Sequence, residues 1–163
     1  RIYLEPLSLL TIKNSYRQAF SRGKREIDEH TLNFITKITN GYAYAFQLLG
    51  FLLWRTKKNL IDQATVDQVL GDYKAELFRN VYLKMYQELS PVDRQFVLTM
   101  AELGGHTVKT AAIGSRMKKS KNYISTYRRR LLDDQLITAP SWGELSFTLP
   151  FFAEFVTEYR DLY

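Results

Sequence analysis

The stretch TVKTAAIGSRMKKSKNYISTYRRRLLDDQLI (Thr107–Ile137) reads as two helices with only KKS between them. The first is short and carries Ala111, Ala112 and Gly114, small residues that let another helix cross closely. Ser120 is placed to cap the second, because a serine hydroxyl satisfies an amide that a first helical turn leaves unpaired. At 100° per residue, Ile124, Tyr127 and Leu131 fall on one side of that second helix and form its core stripe. Asn122, Thr126 and Arg129 lie opposite, with Ser125 at the edge and Tyr123 and Arg130 on a flank. Arg128 stands roughly 65° from the core stripe, so its stem is expected to pack while its head snorkels or pairs locally.

Outward from this pair the pattern stays helical and then changes. Upstream, SPVDRQFVLTMAELGG sets Ser90 as a cap and Pro91 at the first helical position, and Gly104–Gly105 ends the helix. Downstream, LITAP and ELSFTLP alternate as strands around SWG, a hairpin with Trp142 at its tip. PFFAEFVTEYRDLY closes the chain as a helix expected to begin at Pro150. Three helices followed by a hairpin is the order of a winged helix-turn-helix, assigned to residues 81–163.

Residues 1–80 read as a small helical bundle. PLSLLTIKNSYRQAFSRGK has Ser8 as a cap, apolar positions at helical spacing and a stop near Gly23. IDEHTLNFITKITNG begins on Asp28 and reaches Gly41, a residue suited to a left-handed helix end. YAYAFQLLGFLLW is apolar nearly all round and is expected to be the central, buried helix. IDQATVDQVLGDYKAELFRNVYLKMYQEL starts from Asp62 or Thr65 and is expected to break near Gly71. The fold class is therefore mainly α: a helical bundle, then a winged helix-turn-helix.

Composition narrows the function. The 163 residues are 45% hydrophobic and 14% aromatic, enough for a packed core, and contain no cysteine. That excludes disulfides and thiolate metal sites. The two histidines, His30 and His106, lie far apart in sequence and suggest no metal. The longest apolar run, Tyr42–Trp54, is shorter than the ~20 residues a bilayer requires, so no membrane role is expected and the localisation is expected to be cytoplasmic. The chain begins at Arg1 without Met, and is expected to be a piece of a longer polypeptide.

The net charge is +6, and its distribution is uneven. From His106 to Leu132 there are eight Lys or Arg residues and no Asp or Glu. A block of one sign suits a polyanion, because each neutralised phosphate releases condensed counterions. The expected duplex DNA-binding residues are Lys118, Lys119 and Lys121 at the helix N-terminus, Asn122, Ser125, Thr126, Arg129 and Arg130 along the helix, and Trp142 on the wing. Arg129 is the expected base reader, since a guanidinium can address guanine bidentately. No GxxxxGK[ST] phosphate loop occurs, and no nucleophile–base or carboxylate pair has supporting context. Taken alone, the chain is not expected to hydrolyse ATP.

The run YLEPLS…IDEHTLNFITKITNGYAYAFQLLGFLLW resembles the helical lid of AAA+ and STAND-type P-loop ATPases, particularly those related to archaeal and bacterial origin-recognition proteins. In these the lid follows the nucleotide-binding core, and DRQFVLTMAELGG…SKNYISTYRRRLLDDQLI resembles the winged helix that follows the lid. The resemblance implies ATP or ADP with Mg in a parent protein, none bound by this piece alone, and a missing ATPase core as partner. An oligomer is compatible with it. ITNGYAYAFQLLG resembles the lid's glycine-centred signature, which implies nucleotide contacts at Gly41, Tyr42 and Ala43. Ala43 stands where relatives carry proline, and Tyr44 where many carry a sensor arginine. A protein-docking or autoinhibitory winged helix, and a free-standing transcriptional regulator, are the alternative readings.

Overall fold

A computed structural model describes residues 6–163. Of the YLEPLS opening, Tyr3–Glu5 lie outside the described residues. Among the described residues the chain divides into two compact units, 6–77 and 78–163.

The first unit is built from α1 (Leu9–Arg22), α2 (Glu29–Lys37), α3 (Ala43–Arg55) and α4 (Gln63–Leu77). Local chemistry fixes the ends. Ser8 accepts the Thr11 amide, Asp28 that of Thr31, and Asp62 that of Thr65. The core is Ile12, Tyr16, Phe20, Leu32, Ile35, Leu49, Leu53, Val66 and Tyr73. Its two tyrosine hydroxyls are buried but satisfied: Tyr16 donates to the Phe46 carbonyl and Tyr73 to the Ile38 carbonyl, both at 2.7 Å. Burial raises both phenols well above their ordinary pKa, so both stay neutral donors.

Three features differ from expectation. α3 is buried on one side only, with Phe51 58% and Trp54 44% exposed, because a unit of four short helices leaves each an outward side. α4 runs straight through Gly71. Two-residue strands β1 (Glu26–Ile27) and β2 (Leu60–Ile61) pair in parallel, Glu26 opposite Leu60 and Ile27 opposite Ile61. Strands this short carry too little alternation to be seen in sequence.

The second unit opens with a π-helical turn (Phe78–Tyr82), followed by α5 (Leu83–Glu88), α6 (Pro91–Glu102), β3 (Val108–Lys109), α7 (Thr110–Met117), α8 (Lys121–Asp133), β4 (Ile137–Thr138), β5 (Glu144–Phe147) and α9 (Phe152–Leu162). Three helices, α6 to α8, are followed by the expected hairpin of β4 and β5, and β3 adds a third strand in the order β3-β5-β4. This is the winged helix-turn-helix arrangement, and the fold class is mainly α. Ser90 and Ser120 cap α6 and α8, and Pro91 takes the first helical position. α9 starts two residues later than expected. Phe151 adopts φ +58, outside the helix, and the Pro150 carbonyl accepts the buried Tyr82 hydroxyl at 2.8 Å. Tyr82, Phe147, Phe152 and Phe155 then pack edge to face or stacked around that bond.

Candidate nucleic-acid interface

The turn between α7 and α8 is three residues long, and its geometry follows from its sequence. α7 ends on Lys118 in the left-handed region (φ +57), which reverses the chain, and Ser120 restarts it by accepting the Tyr123 amide at 3.2 Å. Ile113 and Met117 of α7 and Ile124 and Leu131 of α8 are buried and hold the pair to the core. At Gly114 a Cβ would meet Ile124 at 3.6 Å, an ordinary contact distance, so the crossing there would also accept an alanine. Tyr127, expected in the core stripe, is half-buried instead, with its ring under the Arg130 guanidinium at 5.4 Å.

Between α7, the first half of α8 and the β4–β5 wing lies an open groove of about 1280 Å³. Lys109, Lys118, Lys119, Lys121 and Arg128 line it, with Glu144 as its one acidic residue. Asn122 and Ser125 add short polar side chains, and Trp142 stands at the rim. Lys119 lies 4.9 Å from the Tyr123 ring centroid, and among the described residues no carboxylate pairs with Lys109, Lys118, Lys119, Lys121 or Arg128.

The three consecutive arginines separate in space. Arg130 donates to Asp93 at 2.9 Å, and the same carboxylate oxygen accepts the Ser90 hydroxyl at 2.8 Å. That arginine ties α8 to α6. Arg129 is exposed and pairs with Asp133 one turn along at 3.5 Å, outside the groove. Thr126 returns its hydroxyl to the Asn122 carbonyl at 3.0 Å and does not line the groove. Arg128, whose stem was expected to pack while its head snorkels or pairs locally, is half-buried and lines the groove without a carboxylate partner among the described residues.

Sequence reasoning also missed Lys109 and Glu144, which β3 and β5 bring together by pairing, and Thr110, which opens α7 directly after β3. Lys109 was already inside the acid-free block, but only strand pairing gives it an address. The Thr110 hydroxyl at the groove wall is buried and unpartnered among the described residues. The wing tip is a tight turn. The Glu144 amide donates to the Ser141 carbonyl at 3.1 Å, Ser141 Oγ lies 2.7 Å from Glu144 Oε2, and Gly143 takes φ +76.

In the first unit, Gly41 (φ +79) is held by its own fold. The Leu7 amide donates to its carbonyl at 2.8 Å, and a Cβ would sit 2.8 Å from the Leu7 carbonyl oxygen. The Tyr42 amide donates to the Thr39 carbonyl at 2.9 Å, and Ala43 opens α3. The Gly41 carbonyl and the Tyr42 amide are thus both committed to hydrogen bonds within the unit. His30 and His106 are exposed, and no group of three or more potential metal ligands occurs among the described residues. No helix among them is long and apolar enough to cross a membrane.

A family of domains of unknown function (DUF8462) matches residues 79–156, just under half of the chain and nearly all of the second unit. No curated protein sequence matches. Among solved structures, the Walker-type ATPase PABY2304 of Pyrococcus abyssi superposes with a TM-score of 0.66 at 13% identity, covering 93% of this chain and 42% of that one. The RuvB Holliday junction branch migration motor of Thermotoga maritima is 18% identical over 98% of this chain and 50% of its own, but its TM-score of 0.37 is too low to bear on the fold. The chain thus spans about half or less of the length of these structures, and its fold is similar to that of a segment of the Pyrococcus ATPase.

Proposed function

We propose that this chain is the lid and winged-helix part of a P-loop ATPase related to the AAA+ and STAND groups, and that its winged helix binds duplex DNA. One observation carries the DNA reading: five Lys and Arg side chains line a single groove against one acid, and none of the five is neutralised by a carboxylate among the described residues. Maintaining uncompensated like charges side by side is unfavourable unless a polyanion relieves it. In this reading Lys118, Lys119 and Lys121 hold backbone phosphate at the start of α8, where exposed amides add positive potential. Asn122 and Ser125 face the DNA's major groove, Arg128 and Lys109 line the path toward the wing, and Thr126 and Arg129, on the outward side of α8, stay at its margin. Arg130 orients α8 through Asp93.

The lid resemblance and the likeness to the Pyrococcus ATPase fold support the parent assignment. ATP or ADP with Mg would be held by the missing core, and this chain would supply position only. A conformational change in the core would move the bundle, and the bundle would carry the winged helix toward or away from DNA. The exposed Leu10, Phe51 and Trp54 of the bundle favour a protein surface, such as that core, as its own neighbour.

Fluorescence anisotropy with a labelled duplex tests the DNA reading. Affinity should fall steeply with salt, with a log–log slope of about −3 to −5 for four to five phosphate contacts. Replacing Lys119 and Arg128 by Glu should weaken binding by about 100-fold, from two lost charged contacts of about 1.5 kcal/mol each. A salt-independent affinity, or an unchanged one in the double variant, rejects it.

A further inference from the structure

Trp142 is 101% exposed, although it is the largest apolar side chain of its unit. The backbone that carries it is nevertheless fixed by hydrogen bonds. It occupies the second place of the four-residue turn Ser141–Glu144, closed by the Glu144 amide on the Ser141 carbonyl at 3.1 Å and by Ser141 Oγ with Glu144 Oε2 at 2.7 Å. The Gly143 carbonyl accepts the Thr110 amide at 2.9 Å, which ties the tip to the start of α7. Gly143 at φ +76 gives the turn a conformation that only glycine adopts readily. A hydrogen-bonded turn therefore carries an indole into solvent, with both faces open, beside a groove lined by Lys109, Lys119 and Arg128.

Within an intact duplex the bases offer their edges to the grooves, and their faces are hidden in the stack. A face becomes available only where pairing ends. Aromatic side chains beside a cationic track are the device by which single strands are held, since every base has a π-face and stacking needs no particular sequence. The side chains known as wedges inside a minor groove are Phe, Leu, Ile, Met and Pro. We infer that the groove takes DNA at a junction between duplex and single strand, with Trp142 stacking on the first unpaired base while the basic groove wall holds the adjoining phosphates. The inference rests on the DNA-binding reading above and narrows its substrate.

Binding of the whole chain should be compared on a blunt duplex, the same duplex with a forked end, and the single strand alone. The fork should bind about tenfold more tightly than the blunt duplex, the equivalent of about 1.4 kcal/mol for one stacked base. Trp142→Ala should remove most of that preference while lowering blunt-duplex affinity less than threefold. Trp142→Phe should retain much of it. Because the side chain packs on nothing, truncation leaves the fold intact, which circular dichroism verifies. The emission lost in Trp142→Phe isolates Trp142 from Trp54, and that part should be quenched by fork and not by blunt duplex. Equal affinity for fork and blunt duplex, or equal loss of both in Trp142→Ala, overturns the junction inference and leaves duplex binding standing. Failure to bind any of the three DNAs rejects the DNA-binding reading itself, and the inference with it. Unquenched emission on fork binding places the indole against protein or solvent and also overturns the inference.

Discussion

The chain has two tryptophans, and they sit in opposite circumstances. Trp54, at the end of α3, lies against Gly23, where a Cβ would fall only 2.0 Å from its ring. The Arg25 guanidinium lies 3.9 Å above the ring centroid, and its Nη1 donates to the Trp54 carbonyl at 2.7 Å. Here an aromatic and a cation are consumed in holding one unit together. Trp142 touches neither, although cations line the same groove. The same contrast runs through the charges. In the bundle, Lys13 and Arg17 converge on Glu29 at 2.8 and 2.9 Å, while no lysine of the groove meets a carboxylate among the described residues. An absent carboxylate partner alone does not mark a binding face, since Lys24 and Lys57 of the bundle also lack one among the described residues; what sets the groove apart is that five such cations share it.

The contrast breaks most severely where the backbone of the bundle is disturbed. Gly41→Ala forces a side chain onto φ +79 and against the Leu7 carbonyl oxygen at 2.8 Å. It should destabilise the chain by about 2–3 kcal/mol, measured by urea unfolding. DNA affinity, measured in the native baseline, should stay within twofold, because Gly41 belongs to the unit that lacks the groove. Gly23→Ala is milder, since the atom it meets is the far end of an exposed side chain. Displacing Trp54 from its place under Arg25 should cost about 1 kcal/mol and shift the tryptophan emission to the red. If emission and stability are both unchanged, Trp54 is not held by that stack.

What was legible in the sequence divides along the same line. Helix starts were readable because Ser8, Asp28, Ser90 and Ser120 act through bonds to amides three residues away, and each does so here. The order of helices and hairpin in the second unit was readable for a similar local reason. The fate of the arginine triplet was not. Its outcome depends on Asp93, thirty-seven residues before Arg130, and on a β3 strand of two residues that carries Lys109 to the groove. A helical wheel reports the angle of a side chain, while neutralisation is decided by whichever acid the tertiary fold delivers. The buried-all-round reading of α3 failed likewise, because an apolar run does not state how many neighbours will cover it.

Acid should sharpen the difference between tied and untied charge. The Glu29 carboxyl is drawn from about 4.5 down to about 2 by its hydrogen bonds from Arg17 and then Lys13. A carboxylate whose pKa is lower in the folded state contributes stability that is complete above about pH 4.5 and is lost as pH falls toward 2. Glu29→Gln should therefore flatten that part of the stability profile, and the difference from wild type should shrink in high salt because all three side chains are solvent-accessible. Parallel profiles for the two proteins would mean that the Lys13–Glu29–Arg17 cluster does not form in solution.

The smallest effect discriminates between neighbours. Arg128 and Arg129 are adjacent in sequence and chemically identical, yet one lines the groove without a carboxylate partner and the other pairs with Asp133 at 3.5 Å outside it. An exposed pair one helical turn apart contributes only about 0.3–0.5 kcal/mol, so Arg129→Ala should change stability by no more than that. Arg128→Ala should weaken duplex binding about tenfold, the value of one charged contact near 1.5 kcal/mol. Arg129→Ala should weaken it threefold or less, because its guanidinium must first leave Asp133 to reach DNA. The reverse order of effects would show that the outward face of α8, and not the groove beside it, receives the nucleic acid. Asp133→Asn separates the two accounts further: a gain in binding that Arg129→Ala removes in the double variant would belong to the freed guanidinium, while a gain that survives it would come only from the lost negative charge.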